Sequence, residues 1–213
     1  MSGYTITLMA CIIVVSVVQP FAENSIELTG LVKPAVWRGE VWRLLTATLM
    51  HASVSHFWMN AVALVYLAKI IEHTLHRAYV PLIFLVTGAI GSVFSVVLYP
   101  HTTSVGASGG IMGLLGFITI AAYFDRTKYP PKYLRRMLQA IAITGLLGLF
   151  GFAFIDNAAH LGGLVGGLMM GWFWLRRHDP RLTNKGLLTF AGIAALVALA
   201  ATAAMAVYRM VTF

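Results

Sequence analysis

The chain has 213 residues, 59% of them hydrophobic and 10% charged, where an ordinary soluble domain is about 25% charged. A soluble fold of this length has too little interior to hide so much apolar surface, so lipid must be part of the solvent. The net charge of +8 would suit a nucleic-acid binder, but the basic residues fall in short connectors between apolar runs, where membrane orientation accounts for them; nucleic acid is not expected as a partner.

A helix needs about 20 largely apolar residues to cross a bilayer core. Seven runs are expected to do so: 4–18, 57–71, 78–98, 105–124, 137–155, 158–175 and 186–208. The first two are short and borrow uncharged neighbours. No basic segment precedes the first run and no A-x-A cleavage site follows it, so it reads as an anchor rather than a secretory signal. It holds the single cysteine, Cys11, which has no disulfide partner within the chain and is expected simply to pack. Residues 21–48 form an outer connector too long for a turn. Its mixture of Glu23, Glu27, Lys33, Arg38, Glu40 and Arg43 with Trp37 and Trp42 suits a loop lying at the interface, the depth tryptophan prefers. Pro20, Pro34, Pro100, Pro130, Pro131 and Pro180 fall in connectors, and Pro81 falls in the first turn of the third run, where a missing N–H costs little.

Orientation follows from Lys and Arg. One side holds Lys69, Arg77, Arg126, Lys128, Lys132, Arg135, Arg136, Arg176, Arg177, Arg181 and Lys185; the other holds Lys33, Arg38, Arg43 and Arg209. Eleven against four predicts a cytoplasmic N-terminus and a C-terminus outside, in what is expected to be the plasma membrane. No soluble domain, low-complexity tract or fixed-period repeat is visible. Residues 1–213 read as one membrane domain, with a core at about 4–178 and an added C-terminal helix at about 186–208.

Polar groups inside spans are costly and call for a reason. His56 with Asn60, Ser108, and His160 all fall near the outer ends of their runs, where they can converge at one depth. Ser108 sits in Gly106-Ala107-Ser108-Gly109-Gly110, whose glycines clear space around the hydroxyl and its backbone N–H, although small residues also serve helix packing. His160 shares a helix face with Gly163, Gly167 and Gly171, and Ser108 lies beside a matching stripe of Gly109, Gly113 and Gly116. Glycine against glycine would bring the two backbones together, with imidazole and hydroxyl within hydrogen-bond reach. A buried histidine bonded to a carbonyl is the plainer alternative. His56 and Asn60, four apart on one face, offer two donors suited to an oxyanion hole or to interhelical bonding. Asp156, four residues before His160, invites a triad, but its place at the start of the sixth run suits an N-cap. His51 and His56 make H-x4-H, not a zinc-peptidase H-E-x-x-H, and no thiolate or carboxylate accompanies them in the spans; no metal is expected. His73, His76, His101 and His178 are given no role.

In this order the chain resembles the rhomboid family. The matching residues are Glu40-Val41-Trp42-Arg43, His51, His56 and Asn60, Gly106-Ala107-Ser108-Gly109, and Ala159-His160 followed by Gly163 and Gly167. The resemblance implies an all-α polytopic fold with a six-helix core and a water-filled cavity open to the outer face, here with one extra C-terminal helix, giving seven spans. It implies an intramembrane serine protease without metal or other cofactor, with Ser108 as nucleophile and His160 as general base and acid. His56, Asn60, the Ser108 backbone N–H and Gly106 would stabilise the oxyanion. His51, Gly109, Gly163 and Gly167 would be structural. Partners would be the lipid bilayer and other membrane proteins, cut in or near their transmembrane segments.

Two other classes remain open. A non-proteolytic rhomboid-like protein that binds membrane clients would be expected to lack Ser108 or His160. A small transporter would need polar residues leading to both faces, whereas these gather toward one.

Overall fold

The computed structural model describes residues 1–151, 155–177 and 184–212. His178, Pro180, Arg181 and residues 152–154 of the fifth apolar run lie outside them. The long helices are α1 (Gly3–Val18), α5 (Val54–Thr74), α6 (Tyr79–Leu98), α7 (Ser108–Phe124), α8 (Pro131–Phe150), α9 (Asn157–Arg177) and α10 (Lys185–Thr212). Between α1 and α5 lie α2 (Ser25–Thr29), α3 (Lys33–Trp37) and α4 (Arg43–Thr46), and the two-residue strand β1 (Leu31–Val32). β1 pairs antiparallel with β2 (Thr103–Ser104), Leu31 opposite Ser104 and Val32 opposite Thr103. That ladder is the one addition to an otherwise helical fold among the described residues.

Among the described residues five segments are long and apolar enough to cross a membrane: Gly3–Phe21, Val54–Thr74, Tyr79–Leu98, Asn157–Leu175 and Lys185–Thr212. The 17-residue α7 is apolar but shorter. The fifth helix departs most from expectation. Pro131, assigned to a connector, opens α8, where its absent N–H would have had no intrahelical partner anyway, and the helix stops at Phe150 before Gly151 rather than at 155.

α7 is the centre of the bundle. From Gly109 to Ala122 every residue except Ile120 is buried, as a helix apolar all round requires. α9 and α6 pack directly on it. A β-carbon on Gly163 would collide with the Gly109 carbonyl, and one on Gly167 with the Gly113 carbonyl, so the two backbones touch and the helices run parallel. The glycine stripes therefore meet as the sequence spacing predicts. α6 supplies a third set of small contacts that the sequence reading did not include: a β-carbon on Gly91 would lie 2.6 Å from the Ala159 carbonyl oxygen, and one on Gly88 would lie 3.8 Å from Gly110 Cα.

The connector at 21–48 is a folded layer of short helices and a strand rather than an irregular loop. Arg43 is buried and ties it together: Nη1 donates to the Glu27 and Gly30 carbonyls, both at 2.9 Å, while Nε and Nη2 hold the Glu40 carboxylate at 2.8 and 2.7 Å. A planar fork with several donors can join three chain segments in this way, which one lysine could not. Trp37 remains exposed, as an interfacial tryptophan should be. Trp42 instead lies under the Arg209 guanidinium, 5.1 Å from ring centroid to Cζ, linking α10 to the layer.

At the far end, Glu72 near the close of α5 fastens the start of α1, accepting from Ser2 N at 2.8 Å and from the Ser2 and Thr5 hydroxyls at 2.5 Å. Cys11 is buried and unbridged.

Candidate active site

The residues singled out by sequence lie where three segments meet: the segment leading into α5, the start of α7 and the start of α9. Ser53 Oγ accepts the His56 N–H at 3.1 Å, capping α5 and setting His56 in its first turn, with Asn60 one turn further on. Gly106 has φ +141°, a conformation that favours glycine, and its N–H donates to the Ala47 carbonyl at 2.9 Å. A β-carbon there would lie 2.8 Å from His56 Cε1, 3.0 Å from His56 Nε2 and 3.7 Å from Ser108 Oγ. Gly106 is thus the point against which the imidazole edge and the serine hydroxyl both rest, and any side chain would separate them.

Ser108 is the first residue of α7. Its backbone N–H belongs to the opening turn, where amides have no intrahelical acceptor and the helix dipole is positive. Such an amide suits a developing negative charge. Across the helix contact, Ala159 carries its carbonyl oxygen 3.4 Å from where a Gly109 β-carbon would be. Ser108 and His160 are thus each the chain neighbour of a residue in this helix contact. Among the described residues no hydrogen bond joins the two side chains, so the backbone approach expected from the glycine spacing is present while the expected Ser108–His160 hydrogen bond is not. Hydrogen bonds between catalytic groups are often long in the unliganded state.

His160 also borders a cleft of about 360 Å³ between α7, α8 and α9, lined chiefly by apolar groups together with Thr144 and Asn157. The triad reading of Asp156 fails on geometry. Its Oδ1 accepts the Ala159 N–H at 2.9 Å as an N-cap and its Oδ2 accepts from the Ser95 hydroxyl, while His160 Nδ1 is buried without a partner.

Asn60 Nδ2 and His51 Nε2 are likewise buried donors or acceptors without a partner. His51 packs edge-on against the His56 ring with centroids 5.2 Å apart, and Ser16 Oγ lies 3.2 Å from its Nδ1. Gln19 clamps the His51 backbone, donating to its carbonyl at 2.7 Å and accepting its N–H at 3.1 Å. Ser16 and Gln19 were not singled out from sequence; two polar residues near the end of the first apolar run were the available signal. Among the described residues no group of three or more His, Cys, Asp or Glu is gathered in a way that could hold a metal ion.

A second polar cluster lies behind the site. Lys33, fully buried, donates from Nζ to Thr102 Oγ1 at 2.9 Å and to Ser104 Oγ at 2.5 Å, and lies 3.9 Å from Asp156 Oδ2. Burial pushes the Lys33 ammonium below its ordinary pKa, with Asp156 opposing that shift.

The fold and site define a class: a polytopic helical membrane protein carrying a serine hydroxyl and an imidazole on two helices in backbone contact, beside two further polar side chains. Residues 38–177 match the Rhomboid domain model. RHOMBOID-like protein 7 of Arabidopsis thaliana is 34% identical over 140 residues, 66% of this chain and 45% of that protein. RHOMBOID-like protein 6, mitochondrial, of the same organism is 33% identical over 169 residues, 74% of this chain and 54% of its own length. Rhomboid protease GluP of Bacillus subtilis is 38% identical over 133 residues, 61% of this chain and 25% of that protein. The chain belongs to the rhomboid family. It spans about half or less of the length of these relatives, and the matched range leaves out α1 and α10.

Proposed function

We propose that this chain is an intramembrane serine protease acting through a Ser108–His160 dyad on transmembrane proteins. The observation that carries the reading is the α7–α9 contact: the Gly109 and Gly163 backbones meet beside a serine at a helix N-terminus and a half-buried histidine whose Nδ1 is buried. Ser108 Oγ attacks the scissile carbonyl carbon as His160 takes the hydroxyl proton. The oxyanion that forms accepts hydrogen bonds from the Ser108 N–H, His56 and the otherwise unpaired Asn60 amide. Collapse of the intermediate expels the amine, which leaves with the proton from His160, and the acyl group stays on Ser108. Water, deprotonated by His160, then attacks the ester and frees the enzyme.

A helical substrate has its carbonyls paired internally, so it must unwind locally before attack. Single-span proteins with helix-weakening residues near the outer leaflet fit that requirement, and the family resemblance adds a cut after a small residue. The whole chain acts as one rhomboid-type domain, with α10 added outside the six-helix core and the site toward the outer face of the plasma membrane.

The test is labelling of the detergent-purified chain by a fluorophosphonate probe, together with cleavage of a single-span substrate. Ser108→Ala, His160→Ala and the double change are expected to lose both signals to a similar extent, because members of one catalytic unit are strongly non-additive. Full cleavage by a folded Ser108→Ala protein would overturn the assignment. The client-binding alternative draws on the unclosed dyad, and absence of labelling in the unaltered protein would favour it.

A further inference from the structure

We propose that Lys33 and Asp156 form a buried strut that fixes the register between the Ser108 segment and the His160 helix, and that both are positioning residues for the reaction. This rests on the protease reading above. The strut is a closed ring of polar contacts. Lys33 Nζ donates to Ser104 Oγ at 2.5 Å; Ser104 Oγ lies 3.3 Å from Ser95 Oγ; Ser95 donates to Asp156 Oδ2; and that oxygen lies 3.9 Å from Lys33 Nζ. Thr102 adds a further acceptor for Lys33 at 2.9 Å.

The two ends of this ring lead into the two halves of the site. Ser104 belongs to β2, and the chain passes from it through Val105, Gly106 and Ala107 directly to Ser108. Asp156 caps α9: its side chain accepts the Ala159 N–H at 2.9 Å and its carbonyl accepts the His160 N–H at 3.0 Å. Lys33 stands at the start of α3, immediately after the strand that pairs with β2. One ammonium group therefore ties the outer layer, the nucleophile's approach segment and the cap of the base-bearing helix.

Such a group is needed because the glycine contacts control how closely α7 and α9 approach but do little to stop sliding along the helix axis. A smooth glycine surface tolerates a small axial shift; a ring of hydrogen bonds and two opposite charges does not. A shift of about 1 Å between reacting groups can cost on the order of 100-fold in rate. A lysine with no exposed surface is also an unusual choice for an outer segment unless its charge is used.

The alternative is that Asp156 serves only as a helix cap and Lys33 only as loop packing. Substitutions separate the two, because asparagine caps a helix about as well as aspartate but carries no charge. The full chain in lipid nanodiscs is titrated with a fluorophosphonate probe, and the maximal labelling rate and the half-saturating probe concentration are measured separately. Lys33→Met and Asp156→Asn are each expected to lower the maximal rate by roughly 10- to 100-fold, with half-saturation little changed. The double change is expected to be no slower than the slower single change, because both remove the same strut. Ser95→Ala and Ser104→Ala, which each remove one hydroxyl, should give smaller losses of the same kind and decide the matter if a charge variant fails to fold.

Wild-type maximal rates in folded Asp156→Asn and Lys33→Met proteins, or in folded Ser95→Ala and Ser104→Ala, would overturn the strut. So would independent, multiplying losses in the double change, or losses confined to half-saturation. Ser108→Ala is the control that keeps the two readings apart. If it still labels, the protease assignment fails; if it does not label while the strut variants label normally, only the positioning role fails.

Discussion

A buried polar group without a partner costs on the order of 1–3 kcal/mol, yet His51 Nε2, Asn60 Nδ2 and His160 Nδ1 all lie unpaired in or beside one small region. If these residues form the proposed active site, their unused hydrogen-bonding capacity has a purpose, since a fully bonded donor has nothing left to offer a transition state. His51 has a further consequence. Burial, assisted by the nearby His56, pushes its pKa down from 6.5 to about 4, so it is neutral in the folded protein at pH 7. An unfolded chain binds a proton at His51 near pH 6.5 and the folded chain near 4, so stability is lost as pH falls through that window. The slope is about 1.4 kcal/mol per pH unit for one group. Thermal unfolding of the native protein and of His51→Gln between pH 7 and 4 should therefore converge toward acid, with the native protein losing more. Parallel curves would mean that His51 does not titrate as a buried neutral group. At this scale the candidate site was legible because serine, histidine and asparagine stand out in apolar runs. Lys33 was not, because a lysine in a connector is ordinary and only the fold shows that it is buried against Ser104 and Asp156.

Helix packing in lipid lacks the hydrophobic drive available in water and depends on close van der Waals contact, which explains why glycine dominates where α7 and α9 meet. The same contact makes a sharp prediction. A β-carbon on Gly163 would strike the Gly109 carbonyl, a backbone atom with no freedom to step aside, whereas one on Gly145 in α8 would meet nothing within 4 Å. Gly163→Val should lower stability by at least the 1–3 kcal/mol or so typical of overpacking, and should abolish probe labelling. Gly145→Ala should instead raise stability by up to about 1 kcal/mol, the helix-propensity gain alone. Thermal unfolding in detergent measures both; a tolerated Gly163→Val would mean that the two helices are not in contact there. The facing stripes could be read from spacing because both helices carry glycine at three- and four-residue intervals. The part played by α6 could not, since Gly88 and Gly91 are marked only by Thr87 and Ser92, small hydroxyl residues that can bond their own helix backbone and so call for no facing helix, as His160 does. The folding of the outer segment was hidden for another reason: its order depends on Arg43 reaching the Glu27 and Gly30 carbonyls across the layer, which no local pattern announces.

Across the whole molecule, the direction of each helix bears on how many times the chain crosses the bilayer. α7 and α9 run parallel and both begin at the site end, so α8, which connects them, has to traverse the bundle from the far end back to the site. Hydropathy makes α8 the weakest span: Lys132, Arg135 and Arg136 occupy its first turns, and residues 137–150 alone give about 21 Å of helix, short of a core of about 30 Å. Long basic side chains can reach back to the headgroups and make up the difference. The start of α1 is held by Glu72 near the close of α5, while the last turn of α10 sets Arg209 over Trp42 in the layer at 21–48, so these two helix ends lie at opposite ends of the bundle. With eleven basic residues assigned to one side and four to the other, the side holding the α7–α8 connector should face the cytoplasm. A periplasm- or exterior-active reporter fused after Phe213 is therefore expected to be active, and the same reporter inserted at Lys128 to be silent. An inactive C-terminal fusion with a silent insertion at Lys128 would mean an even number of crossings. Since the parallel pairing of α7 and α9 requires α8 to return, the miscounted helix would then have to be α10, which packs on the outside of the bundle against α1 and α6 and could be lost without opening the site.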